Sequence, residues 1–150
     1  MLVKKVDDIG IDHVGWHLWD PAAMWKEKFA AEMVAMGHDW YAEARSSVVP
    51  YVGPKGTKQS IIVARMGLSK QAVQQLILDL EESGILLREP DPNDGRGKIV
   101  HFTEKGLAAQ RDSRKAKRKV EEEMRARLGD KKFENLLDAL KKIGSDAWVS

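Results

Sequence analysis

The chain has 150 residues, 43% of them hydrophobic and 32% charged, and it contains no cysteine. That balance suits one globular domain with a sizeable core, and the lack of thiols excludes disulfides, thiolate zinc sites and cysteine-based redox sensing. A net charge of only +2 is too mild for a protein that coats nucleic acid without regard to sequence, so any such partner must be recognised by local geometry.

In chain order, Met1 to Asp8 reads as a short arm. From Ile11 to Met36 apolar residues recur at helical spacing: Val14, Leu18, Met24, Trp25, Phe29 and Met33. Asp20-Pro21 interrupts the pattern, so either a new helix starts there under an Asp20 cap or a longer one kinks. Gly37 ends the stretch, and Asp39 is placed to cap a second helix running to about Val52 before Gly53-Pro54 closes it. Thr57 to Met66 reads as a short helix stopped by Gly67. The next helix is the best marked: Ser69 as cap, Leu68 as a hydrophobic staple onto Val73, a core face of Val73, Leu76, Ile77 and Leu80, and Gly84 as the left-handed stop.

The period then changes. Ile85–Glu89 and Lys98–Phe102 are short β-prone runs around the turn-rich stretch Pro90 to Gly97, which makes a hairpin with Arg96 at its polar tip. Thr103-Glu104-Lys105-Gly106 opens a long helix to about Leu128. Gly129 breaks it, Asp130 caps the last helix, and Phe133, Leu136, Leu137, Leu140 and Ile143 form that helix's apolar stripe.

Two helices joined by Met66-Gly67-Leu68-Ser69 and followed by a polar-tipped hairpin describe a winged helix-turn-helix, mainly α with a small β wing. The second helix of such a unit enters the major groove of B-DNA with its N-terminal residues on base edges. Its outward residues here are Lys70, Gln71, Gln74 and Gln75; glutamine pairs bidentately with adenine, and lysine reaches guanine or phosphate. Arg96 in the wing suits a narrow minor groove. A polar helix face is more often merely solvated; its place between a turn and a hairpin changes that balance.

The ordered segments Ile62–Ser69, Leu80–Arg88, Asp91–Arg96 and Phe102–Gly106 resemble the multiple-antibiotic-resistance-regulator (MarR) family. The resemblance implies a single domain over 1–150, with a DNA-binding lobe at 39–103 and dimerisation helices at 9–37 and 104–150. It implies a homodimer on a pseudo-palindromic operator of double-stranded DNA, usually as a repressor. By position, the DNA-binding residues fall on Ser69, Lys70, Gln71, Gln74, Gln75, Asp94, Arg96 and Lys98, with Asp94 bracing the wing arginine. Where this chain has Lys70 the family often has a small residue or proline, and where it has Gln75 often an arginine. Ile61 replaces a usually polar residue and is a candidate extra contact.

Other signals admit two readings. The cations from Arg111 to Lys119 suggest a second phosphate-binding stripe, but Glu121, Glu122 and Glu123 follow at four-residue spacing, which favours solvated helical ion pairs. His13 and His17 share a helix face near Asp12, Asp20 and His38, a weak candidate for the zinc that some members of the resembled family sense. The tryptophans of the first two helices belong mainly to core and dimer interface. The resemblance adds that Trp16, His17, Trp40 and Arg45 could line a pocket for a small aromatic effector that releases DNA.

No enzyme motif is present: serines lack His/Asp partners and no glycine-rich phosphate loop appears, so neither catalysis nor a cofactor is expected. A winged helix also serves as a protein-docking module, which remains the competing class. With no apolar run of membrane-spanning length and no leader pattern, a cytoplasmic location without membrane contact is expected.

Overall fold

A computed structural model describes residues 12–145. The expected arm Met1–Asp8, the first residues of the predicted N-terminal stretch and the last few residues of the chain lie outside them. The first helix, α1 (Val14–Ala35), runs through Pro21 without a break and is preceded by His13, which makes no side-chain cap. The continuous alternative therefore holds, and Asp20 caps nothing. Gly37, at φ +92°, turns the chain out of α1, where the amide of His38 returns to the carbonyl of Met33.

The segment after Gly37 departs from expectation. In place of one α-helix there are two 3₁₀ helices, Asp39–Ala42 and Ala44–Tyr51. Glu43 between them is extended, and Pro50 removes an amide from the second. The Ser46 hydroxyl donates to the carbonyls of Tyr41 and Glu43, supplying side-chain bonds that compete with a regular helix. Asp39 lies inside the first of these helices rather than capping it.

Thr57–Lys58 form a short strand, β1, where a helix start was expected. Gly56 takes φ +87°, a conformation favoured by glycine, and the Thr57 hydroxyl accepts from the amide of Gly53. The chain is thereby delivered to the sheet, and the helix α2 (Gln59–Met66) begins two residues late. Gly67 ends it at φ +65°.

The helix α3 (Lys70–Glu82) follows the sequence reading closely. The Ser69 hydroxyl accepts from the amide of Ala72 at 3.1 Å, Val73, Ile77 and Leu80 are fully buried, and Gly84 stops the helix at φ +71° as Ile85 returns its amide to the Leu80 carbonyl. Leu68 stays 49% exposed, so its staple is partial.

The wing is β2 (Leu86–Asp91) and β3 (Asp94–Phe102), longer strands than the sequence suggested. They pair from Leu86↔Phe102 to Pro90↔Lys98, and an irregularity at Pro90/Asp91 brings Asp91 opposite Asp94. With β1 added on the other side of β3, the sheet is antiparallel in the order β1-β3-β2. Its inner side joins α2, α3 and the second 3₁₀ helix in a core of Val48, Ile62, Ile77, Leu80, Ile85 and Val100.

The long α4 (Glu104–Leu128) starts at Thr103, whose hydroxyl accepts from the amide of Gly106 and donates to the carbonyl of Gly84. It packs antiparallel along α1. Lys28 pairs with Glu123 and Glu32 with Lys119, Lys117 lies 5.5 Å over the Phe29 ring, and His38 pairs with Asp112. The expected pairing of these charges along α4 itself is thus redirected across the helix pair. Lys119 is held above the usual lysine range by Glu32, and Glu123 below the usual carboxylate range by Lys28.

Gly129, not Asp130, sits at the cap position of α5 (Asp130–Ile143). Of the stripe on α5 only Phe133 is buried; Leu136, Leu140 and Ile143 remain 38–40% exposed. No described helix is long and apolar enough to cross a membrane.

Candidate nucleic-acid interface

The side chains at the start of α3 and those of the wing face one another across a cleft of about 580 Å³. From α3 come Lys70 and Gln74; from β3 come Asp94, Arg96, Gly97 and Lys98. The remaining walls are Lys58, Gln59, Ser60 and Val63 below, and Arg88 and Asp91 of β2. Five cations thus face two carboxylates, and the partners of each decide which charges stay available.

Asp91 is the buried acid. It accepts from the amide of Asn93 and pairs with Lys58 at 3.2 Å, and the Asn93 amide is the largest influence holding its carboxyl below the usual range. Arg88 is taken by Glu81. Asp94 accepts from the backbone amide of Arg96 at 3.1 Å, so it shapes the wing turn and leaves the guanidinium alone, unlike the brace expected from the resemblance. Lys70, Arg96 and Lys98 form no ion pair among the described residues, and all three are exposed. The cleft therefore offers three unneutralised cations, two from the wing and one from the helix.

The other expected reader residues are placed unequally. Gln71 and Gln75 are exposed, but the amide of Gln75 already donates to Asp79 at 2.8 Å. Gln74 is half-buried at the cleft wall. Ser69 is a cap whose hydroxyl orders the first turn. Ile61 is 39% exposed on α2 and does not line the cleft. Sequence reasoning missed Lys58 and Arg88. Lys58 had been read as part of a helix, and Arg88 as the end of a family-like segment in a β run, with no role given to it.

The four residues proposed for an aromatic effector are not gathered. Trp16 and His17 lie in the first turn of α1, whereas Trp40 follows its far end; a helix of 22 residues spans about 33 Å. Trp40 is 6% exposed in the core of the lobe. Arg45 bonds the Asp79 carbonyl and the Ser83 hydroxyl and pairs with Glu43, which ties the 3₁₀ segment to the end of α3. A different aromatic series links α1 to the lobe: Trp25 stacks on Phe29 at 5.5 Å, Phe29 meets Tyr41 edge-on, and Tyr41 packs on Trp40 at 4.1 Å. The Tyr41 hydroxyl accepts from Gln110 of α4, and burial raises its pKa.

His13 packs on Trp16 and Trp19, His17 bonds Asp12, and no group of three acidic or histidine side chains suited to a metal occurs among the described residues.

A short helix, a glycine turn, a capped reader helix and an adjoining three-stranded wing define a winged helix-turn-helix protein. The sequence profile of the MarR family matches residues 52–97, which covers β1 through the wing turn. Over these residues the chain is similar to the MarR family.

It is 27% identical over 88 residues to a candidate transcriptional regulatory protein for the hcr operon of Thauera aromatica. That match takes in 59% of this chain and 53% of the relative, so the chain spans about half the length of that curated protein. Among solved structures it is similar to CouR from Rhodococcus jostii RHA1 bound to p-coumaroyl-CoA, with 25% identity, TM-score 0.65 and coverage of 88% of this chain and 92% of that one. The repressor CouR bound to a 23-mer DNA duplex gives TM-score 0.71 at 22% identity, covering 97% and 100%. MarR from E. coli gives 0.70 at 17%, covering 90% and 98%.

Proposed function

We propose that the chain is a sequence-specific DNA-binding regulator, acting as a homodimeric repressor on a pseudo-palindromic operator. The observation that carries this reading is the cleft between α3 and the wing, where Lys70, Arg96 and Lys98 stand unneutralised beside the outward glutamines. Gln71, Gln74 and Gln75 are then the base-edge readers, with Gln75 exchanging its Asp79 bond for a base, and Ser69 holds the first turn against the phosphates. Asp94 contributes by fixing the backbone at Arg96. Because the cleft offers only three free cations, the affinity rests on two lobes engaging successive major grooves together.

Dimerisation is supported by the open apolar groove of about 570 Å³ between α1, α4 and α5, lined by Trp19, Trp25, Phe133, Leu136, Leu137 and Leu140. Its apolar character suits a second copy's α5, whose own stripe is equally uncovered. In this reading the terminal helices dimerise and residues 39–103 bind DNA.

A small aromatic effector is supported by the likeness to CouR, which was solved with p-coumaroyl-CoA. The stacked series Trp25, Phe29, Tyr41 and Trp40, at the junction of the two parts, is the better candidate surface than the scattered set Trp16, His17, Trp40 and Arg45. A ligand there acts only by binding one lobe arrangement better than another.

Selection from a random duplex pool tests the function. The expected result is enrichment of a two-fold symmetric site whose consensus shifts when Gln74 or Gln75 is changed. Failure to enrich any sequence, with no salt-sensitive duplex binding, favours a protein-docking module.

A further inference from the structure

Arg88 forms part of the cleft between α3 and the wing, yet its guanidinium is already occupied. Its Nε donates to Glu81 Oε1 at 3.0 Å and one Nη to Glu81 Oε2 at 2.8 Å, while the other Nη reaches Gln59 Oε1 at 3.4 Å. Glu81 is in the last turn of α3, and Gln59, 8% exposed, is the first residue of α2. Arg88 itself stands in β2 opposite Val100 of β3. One planar fork therefore joins both helices of the helix-turn-helix to the strands that carry Arg96.

We propose that Arg88 is a positioning residue, whose bonds to Glu81 and Gln59 fix the angle between the reader helix α3 and the wing. The proposal rests on the DNA-binding reading of this cleft. The two parallel bonds to one carboxylate resist rotation, which a single ammonium contact does not. Both partners are about three-quarters covered, at 26% and 22% side-chain exposure, so the pair is screened less than a surface pair.

The lever is long enough to matter. From Arg88 to Asp91 the strand runs about 10 Å, and a tilt of about 10° there moves the tip by about 2 Å, beyond the tolerance of a preorganised contact set. Lys58, paired with Asp91 at the tip, steadies the far end of the same hairpin. Arg88 thus decides whether Lys70 to Gln75 and Arg96 meet one duplex at the same time.

The test uses the full chain and the variants Arg88→Lys and Glu81→Gln, each of which keeps a polar side chain in place. In the free protein, hydrogen exchange at the wing amides of residues 94–98 should quicken while the Ile77 and Leu80 amides stay protected. For a selected duplex, Arg88→Lys should weaken binding about tenfold, and much less in an Arg96→Ala background, a coupling of the size that neighbouring groups show. The logarithmic salt slope should not change.

Additive losses with Arg96→Ala overturn the proposal, as does a slope reduced by about 0.9 in Arg88→Met, the mark of a direct phosphate contact. Unaltered wing exchange in both variants also overturns it. If the wild-type chain binds no duplex at all, the DNA-binding reading falls, while the exchange measurement still decides whether the fork holds the wing.

Discussion

Gly106 offers a test of how the long helix is seated on the lobe. It is buried in the first turn of α4, and a Cβ built there would lie 2.2 Å from the carbonyl oxygen of Ile85 and 3.0 Å from a ring carbon of Phe102. Both neighbours are fixed: the Ile85 carbonyl already accepts from the amide of Thr103, and Phe102 closes β3 opposite Leu86. Gly106→Ala therefore forces α4 outward by roughly 1 Å, a displacement costing about 1–3 kcal/mol as overpacking.

The same shift strains the Thr103 hydroxyl, which caps the helix through the Gly106 amide; a lost cap costs about 1 kcal/mol. Alanine returns about 1 kcal/mol of helix propensity. A net loss of about 1–3 kcal/mol remains. At fixed protein concentration, urea unfolding should show a midpoint lowered by about 1 M for a slope of about 2 kcal/mol/M. Gly95→Ala is the control, since a Cβ there meets nothing within 4 Å. An unchanged or raised midpoint for Gly106→Ala would refute the close seating of α4 on Ile85.

Arg96→Ala should weaken operator binding by about 1–3 kcal/mol, seen in a gel or polarisation titration, with the unfolding midpoint unchanged. The Asp112 carboxyl is held below its usual range chiefly by the hydrogen bond from His38, with Lys115 nearby. A depressed carboxylate contributes stability above its unfolded pKa and loses it as pH falls through the lower folded value. Asp112→Asn should accordingly flatten the acid limb of a stability–pH profile; an identical limb counts against the pairing. Leu140→Glu, on the open stripe of α5, should shift sedimentation from dimer to monomer while leaving the helical circular dichroism of the lobe intact.

The legible parts of the sequence were those where one local force acts alone. The cap at Ser69, the buried face of α3 and the left-handed Gly84 each follow from a few adjacent residues, and each appears as read. Asp39 to Tyr51 was misread because a capping residue and a Gly-Pro stop bracket it like a helix, while Glu43, Ser46 and Pro50 break the backbone ladder. β1 was invisible because two residues carry no period, and only their pairing with Val100 and Ile99 makes a strand of them.

Lys70 and Arg96, which line the cleft, and the exposed Gln71 were expected from position in the motif. Arg88 and Lys58 were not, because their roles depend on contacts to Glu81, Gln59 and Asp91 brought in from other elements. The effector residues fared worst for the same reason. Helical spacing says which face Trp16 occupies but not how far α1 carries it from Trp40.

The central claim is that α3 and the wing read duplex DNA as a two-fold pair. Hydroxyl-radical footprinting of the chain on a selected duplex measures this directly. Two protected half-sites about 10–10.5 bp apart, centre to centre, are predicted, both shifted together to higher protein concentration in Arg96→Ala. Uniform protection without half-sites, or none at protein concentrations that saturate binding, would contradict it.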